Sequence, residues 1–318
     1  MLVLLALLVA NGEAAFIADI KGAFLYALLL PEETVYARPP KGYEHHPKFQ
    51  GKIMKLRKAL YGLAQAPRRW YDLMVSILER HGLKRTVIDP CLFVLVSGAF
   101  VIKAGTHVDD FLFTTNDVSK FEQWFENVTK ELKISSTSQL GVDGLDYMAL
   151  VISYDAAQSH LKISQRDYIM NALKMFGLEN VKPAQTPMAS GVKFTRADMP
   201  EVVDVRRRDA YRRLLGVARW VSRNSCPEAC CAISMLACFL ENPSQGMLTA
   251  AVYVFRYFKF TIENNCEGRC FRAPDRGGVT PPGFTVRVAM WRRTTPTGTS
   301  TQLTCQRRRR RVVLVLCS

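Results

Sequence analysis

Three carboxylates stand out by the company they keep. Asp109 and Asp110 are adjacent within an apolar run, between Val108 and Phe111, and Asp19 lies at the end of the short apolar run AFIADI. Bare carboxylates in such surroundings are costly to bury, and a divalent cation removes that cost. Magnesium takes hard oxygen ligands and keeps phosphate oxygens in its shell. The pattern therefore points to two-metal nucleotidyl transfer, in which one ion lowers the pKa of a primer 3′-hydroxyl and the other stabilises departing pyrophosphate. An isolated Asp-Asp pair is more often an ordinary β-turn, so the pair alone does not decide between the two.

The elements that must position these groups are legible in outline. Helical periodicity runs through Leu2–Ala10, followed by a strand over Phe16–Ile20 that delivers Asp19. Residues 31–50 are rich in Pro and Gly and are expected to form an extended loop or hairpin. Pro67 permits a helix to start near Arg68, with Trp70, Leu73, Met74, Ile77 and Leu78 on one face and an end near Gly82. The runs CLFVLV and AFVIKAGTHVDDFLFTT, separated by Ser97-Gly98, predict a β-hairpin with the acidic pair at a turn in its second run. An amphipathic helix is expected over Phe121–Leu132, a strand pair over Tyr147–Tyr154 and Leu161–Ile163, and helices over Tyr168–Phe176 and within Tyr211–Phe260. The mixed order gives an α+β class.

The chain has 318 residues, 48% hydrophobic and 22% charged, which excludes a disordered polypeptide and allows two sizeable cores. Its net charge of +15 favours a polyanionic partner. Glu263–Ser318 holds 11 Arg, no Lys and 3 acidic residues, so the tail carries +8 of that charge and the body +7. The nine cysteines are an odd number without a recognisable zinc pattern and read as reduced thiols. The opening MLVLLALLVANGEAA has the length of a signal peptide but no basic start; a buried helix leading into the Phe16 strand is the preferred reading. No stretch reaches the roughly 18–20 apolar residues of a spanning helix.

Three segments stand in order: DIKGAFL (Asp19–Leu25), KALYGLAQAPRRWYD (Lys58–Asp72) and HVDD (His107–Asp110). Together they resemble the reverse transcriptase of copia-type retrotransposon Pol polyproteins, whose usual forms are D-[VI]-K-x-A-F-L, K-x-L-Y-G-L-x-Q-A-P-R-x-W and Y-V-D-D. The likeness continues through Leu161–Met188 and Tyr211–Pro243 and covers about Met1–Thr261. It implies a right-hand polymerase: fingers and palm over 1–155, lacking a fingers segment expected ahead of Met1, and a helical thumb or connection region over 156–262. The tail over 263–318 lies outside the resemblance and is expected to be a disordered basic segment.

The resemblance also assigns roles. It implies that Asp19, Asp109 and Asp110 are catalytic metal ligands for two Mg2+ ions, with Mn2+ as a substitute. Phe24 matches an aromatic gate that rejects a ribose 2′-hydroxyl, or is a core phenylalanine. Gln65 and Gly62 match the loop that approaches the incoming nucleotide and template. Arg68 and Arg69 are candidate phosphate contacts, or solvated helix residues. The implied partners are an RNA or DNA template-primer and dNTPs, with integrase and RNase H elsewhere in the parent element and no membrane. The implied location is intracellular, in a cytoplasmic particle or the nucleus, and not secreted.

Two departures from the family pattern weigh on activity. His107 stands where the family has Tyr, which helps support the primer terminus, and Ser225-Cys226-Pro227-Glu228 replaces T-R-P-D. They leave open a catalytically inactive, nucleic-acid-binding relic of a retroelement. The Arg-rich tail, with Arg307–Arg311 and the apolar end VVLVLCS, suggests a shifted reading frame from near Cys266; a nucleic-acid-binding or nuclear-targeting arm is the alternative.

Overall fold

The computed structural model describes residues 1–264 and 268–272, with the backbone alone at 135 and 287–289. The chain divides into two compact units, residues 1–140 and 141 onward.

In the first unit, the apolar opening forms helix α1 (Leu2–Asn11), with Leu4, Leu5, Leu8 and Val9 buried, and Gly12 at φ 66° ends it. Strand β1 (Ala14–Ile20) follows, then a 3-10 turn at Ala23–Tyr26 and the two-residue strands β2 (Tyr36–Ala37) and β3 (Met54–Lys55), which pair with each other. Helix α2 (Ala66–Arg80) starts with Pro67 in its first turn, where a missing N–H costs nothing. Next come β4 (Lys84–Arg85), β5 (Leu92–Ser97), β6 (Phe100–His107), β7 (Asp110–Thr115), helix α3 (Val118–Thr129) and β8 (Ile134–Gln139). The long second run of the expected hairpin is thus two strands, folding back at Val108-Asp109 to make a meander.

All six longer-sheet strands are antiparallel neighbours in the order β4-β5-β6-β7-β1-β8. Alternation in β1 and β7 sends Phe16, Ala18, Ile20, Phe111 and Phe113 into one core with Trp70, Met74 and Leu78 of α2 and Phe121 and Val128 of α3. The other face carries Ala15, Ile17, Asp19, Asp110, Leu112 and Thr114, read from their opposed positions in the register. Thr114 donates from Oγ1 to buried Glu13 at 2.8 Å, and Glu13 is ion-paired with Lys103 of β6.

The second unit joins β9 (Leu145–Tyr147), β10 (Leu150–Asp155) and β11 (His160–Ser164) to helices α4 (Arg166–Met175), α5 (Val205–Asn224), α6 (Cys230–Ala237) and α7 (Gln245–Glu263). The helices close on a core that includes Tyr211, Leu215, Leu236, Phe255 and Phe258. The break between units falls at Leu140–Gly141, upstream of the expected boundary at 155, because β9, β10 and β11 form one ladder. The tail expected to be disordered from 263 is corrected at its start. Strand β12 (Arg269–Arg272) pairs with β11, burying Cys270 and Phe271, and β13 (Arg287–Ala289) pairs with β12. Arg307–Arg311, VVLVLCS and the reading-frame question at Cys266 lie outside the described residues.

Candidate active site

Asp19 of β1 stands directly opposite Asp110 of β7. Directly opposed residues of an antiparallel pair share a face, with β-carbons about 5 Å apart. Asp109 occupies the second position of the β6–β7 turn, which the His107–Asp110 pair closes. The Ile20 N–H donates to the Asp109 carbonyl at 3.0 Å, so β1 grips the turn as well as the strand. Register alone therefore brings together two carboxylates, Asp19 and Asp110, that are 91 positions apart in sequence.

The electrostatics follow from this grouping. Burial pushes the Asp110 carboxyl above its ordinary range, and the charges of Asp109 and Asp19 push it further, while His107 pulls the other way. Burial and then the same two aspartates also push up the Tyr61 phenol, which places Tyr61 within their field. The strand-like pairing of residues 27–29 with 57–59 brings Tyr61 there: the Ala59 N–H donates to the Ala27 carbonyl at 2.8 Å and the Leu29 N–H to the Arg57 carbonyl at 3.1 Å. The Tyr61 ring lies 4.6 Å from that of Phe24.

Other sequence-derived candidates are placed with less focus. Phe24 lies in the 3-10 turn after Gly22, packed on the core by one side and on Tyr61 by the other. Gly62 holds φ 95°, a conformation that suits glycine, with open space where a side chain would stand. Gln65 is the N-cap residue of α2, and its side chain makes no capping hydrogen bond. Arg68 is engaged with Asp72 at 3.0 Å, and Arg69 with Glu33 at 3.1 Å.

Trp70 was read from sequence only as part of an apolar helix face. Its Nε1 donates to the Val108 carbonyl at 2.6 Å, tying α2 to the turn that carries Asp109. The signal was present: an indole N–H on a buried face needs an acceptor.

Among the described residues no three His, Cys, Asp or Glu side chains converge closely enough to form a metal cage by themselves. The set formed by Asp19, Asp109 and Asp110 is open, all oxygen and all negative. That composition fits magnesium, which retains oxygens from water or phosphate in its shell. The six free cysteines among the described residues offer no competing centre; burial pushes the Cys226 thiol up to about 12, with Glu228 adding to it, so it stays protonated.

Comparison with known proteins identifies the family. The family described as "Reverse transcriptase (RNA-dependent DNA polymerase)" matches residues 1–190. The "Retrovirus-related Pol polyprotein from transposon RE1" of Arabidopsis thaliana is 30% identical over 245 residues, 76% of this chain and 16% of that protein. The corresponding polyprotein from transposon TNT 1-94 of Nicotiana tabacum is 28% identical over 262 residues, 81% of this chain and 19% of that protein. The "Putative transposon Ty5-1 protein YCL074W" of Saccharomyces cerevisiae is 25% identical over 251 residues, covering 78% of this chain and 77% of that protein. The chain spans less than a fifth of the length of the two plant polyproteins. It belongs to the reverse transcriptase family, in the copia-type form carried by retrotransposon Pol polyproteins.

Proposed function

We propose that the chain performs RNA-directed DNA synthesis for a copia-type element, by two-metal nucleotidyl transfer onto a primer 3′-hydroxyl. The observation that carries this reading is the register that sets Asp19 against Asp110 with Asp109 in the adjoining turn. Asp19, Asp109 and Asp110 would hold two Mg2+ ions, or Mn2+ in their place. When bound, the ions supply Lewis-acid charge at the attacking hydroxyl and the leaving pyrophosphate.

The protein's own residues orient the reactants. The paired strands fix two carboxylates on one face, and the turn aims the third. Phe24, in contact with Tyr61, which lies in the field of Asp109 and Asp19, offers an aromatic surface suited to excluding a 2′-hydroxyl. Gly62 leaves the backbone open to a base or sugar. We assign the fingers and palm to the first unit and a thumb or connection role to the second. Template-primer and dNTPs are the substrates, and integrase and RNase H are the companions in the parent polyprotein. We place the protein inside the cell, in a cytoplasmic particle or the nucleus. Among the described residues no helix is long and apolar enough to cross a membrane.

One observation favours a second reading, a nucleic-acid-binding relic without catalysis. His107, exposed at the catalytic turn, replaces the tyrosine that the family pattern has there. Primer extension on poly(rA)/oligo(dT) with magnesium separates the two. Extension that the Asp109→Asn/Asp110→Asn variant lacks supports the polymerase; retained template binding without extension supports the relic.

A further inference from the structure

Asp109 sits on a strained support. Val108, the first residue of the two-residue turn, holds φ 60°. A β-branched residue rarely adopts this left-handed backbone, and it persists only where its surroundings impose it. Two hydrogen bonds from outside the hairpin do so. The Ile20 N–H holds the Asp109 carbonyl at 3.0 Å, and the Trp70 indole holds the Val108 carbonyl at 2.6 Å.

The second bond has the greater leverage. The Val108 carbonyl and the Asp109 N–H belong to one rigid peptide plane, so fixing that carbonyl fixes the torsions on both sides of the plane and with them the direction of the Asp109 side chain. The donor itself is immobile: Trp70 is 2% exposed, lies within the core beside the Tyr26 ring at 6.2 Å, and sits in the second turn of α2. The ring is buried, so an unpaired N–H there would be costly and the Val108 carbonyl is its natural acceptor.

We propose that Trp70 is a positioning residue for nucleotidyl transfer, acting through its indole N–H to hold the strained Val108-Asp109 turn in the orientation that aims Asp109 at the metal site. The kinetic part of this inference rests on the polymerase reading, and the conformational part does not. The proposal also gives a role to the tryptophan near the end of the KALYGLAQAPRRWYD segment, whose ring lies in the core: through it the helix braces the turn that carries Asp109.

The test compares Trp70→Phe with Trp124→Phe. Trp124 donates its indole N–H to the His81 carbonyl at 2.8 Å, away from the turn, so its variant loses the same kind of bond in the same unit. Hydrogen exchange resolved to single amides is measured alongside primer-extension kinetics and melting temperature. Trp70→Phe is expected to speed exchange at Ile20 by about tenfold, since losing one buried hydrogen bond is of that order. It is also expected to lower kcat by about 10- to 100-fold with dNTP KM and template affinity little changed. Trp124→Phe should lower the melting temperature comparably and leave both readouts alone. A Val108→Gly background, in which a positive φ carries no strain, should shrink the effect of Trp70→Phe on Ile20 exchange. Unchanged Ile20 exchange in Trp70→Phe overturns the proposal, as does a kcat loss no larger than that of Trp124→Phe. If the parent protein extends no primer, the polymerase reading fails, and the exchange comparison still decides the role of Trp70.

Discussion

Each unit contains a tight hairpin turn built from residues that disfavour a left-handed backbone, and the two turns are held very differently. In the first unit Val108 takes φ 60° and Asp109 follows it; in the second, Met148 and Ala149 take φ 53° and 60° between β9 and β10. The Val108-Asp109 turn is fastened from outside by α2 through Trp70 and by β1 through Ile20. No comparable side-chain bond to the Met148-Ala149 turn occurs among the hydrogen bonds of the described residues. Strain alone therefore does not mark a working site. Strain that carries a carboxylate and is braced by neighbouring elements is what the proposed function calls for, since it holds the turn against relaxing.

The sharpest way to break this comparison is to remove the charge from the braced turn. Asp109→Asn/Asp110→Asn should reduce primer extension by about 10³-fold or more, since several kcal/mol of transition-state stabilisation depend on the ions they would hold. An effect below tenfold would make the two turns equivalent. Next in size is the support beneath the six-stranded sheet. Glu13 is 4% exposed and shared by Lys103, Thr114 and Asn11. Glu13→Gln leaves Lys103 without its counter-charge and should cost about 3 kcal/mol, read by chemical denaturation. A cost near zero would mean that the pair is solvated and does not stiffen β6 and β7.

How much of this arrangement the sequence discloses depends on which physical signal each element uses. Helix α2 is legible because Pro67 and the 3.6-residue recurrence of Trp70, Met74 and Leu78 agree. The fold-back at Val108 is not, because a valine at positive φ carries no turn signature; the acidic pair marks the place but not the geometry. Strand β8, ISSTSQ, offers no apolar alternation and is specified by its neighbour β1. Strand β12 sits in an Arg-rich stretch and gains its form from β11. The helical pattern over Tyr211–Phe260 is broken near Pro227 and Pro243 into α5, α6 and α7. Of the candidate site, the three carboxylates are legible through their motifs, and a buried indole at Trp70 signals that it needs an acceptor; which carbonyl it finds, and the Phe24–Tyr61 contact, are long-range packing that no local pattern encodes.

A smaller effect is expected at the unbraced turn. Met148→Asn/Ala149→Gly installs residues that accept the left-handed region and should stabilise the second unit by about 1–2 kcal/mol. Primer extension should be unchanged, and a fall in activity would show that this turn too is held in place for catalysis.

The smallest predicted effect bears most directly on the cation proposed for the braced turn. Asp19 and Asp110 are like charges directly across two strands, an arrangement that costs roughly 0.2–1 kcal/mol. In chelator-treated protein Asp110→Asn should therefore raise stability at neutral pH by that amount, whereas with magnesium present it should abolish extension. The sign follows from proton linkage. The folded state raises the pKa of Asp110, so it binds a proton more readily than the unfolded chain does. The penalty is full above the raised folded value, shrinks as pH falls through it, and vanishes below the ordinary carboxylate value. The advantage of Asp110→Asn over the parent should fade over the same interval, and magnesium should reverse it by stabilising the parent alone. Thermal melts at neutral and acidic pH, with and without magnesium, read both arms. A parent protein that gains nothing from magnesium while Asp110→Asn keeps its advantage would mean that the opposed carboxylates are simply repelling each other across the sheet.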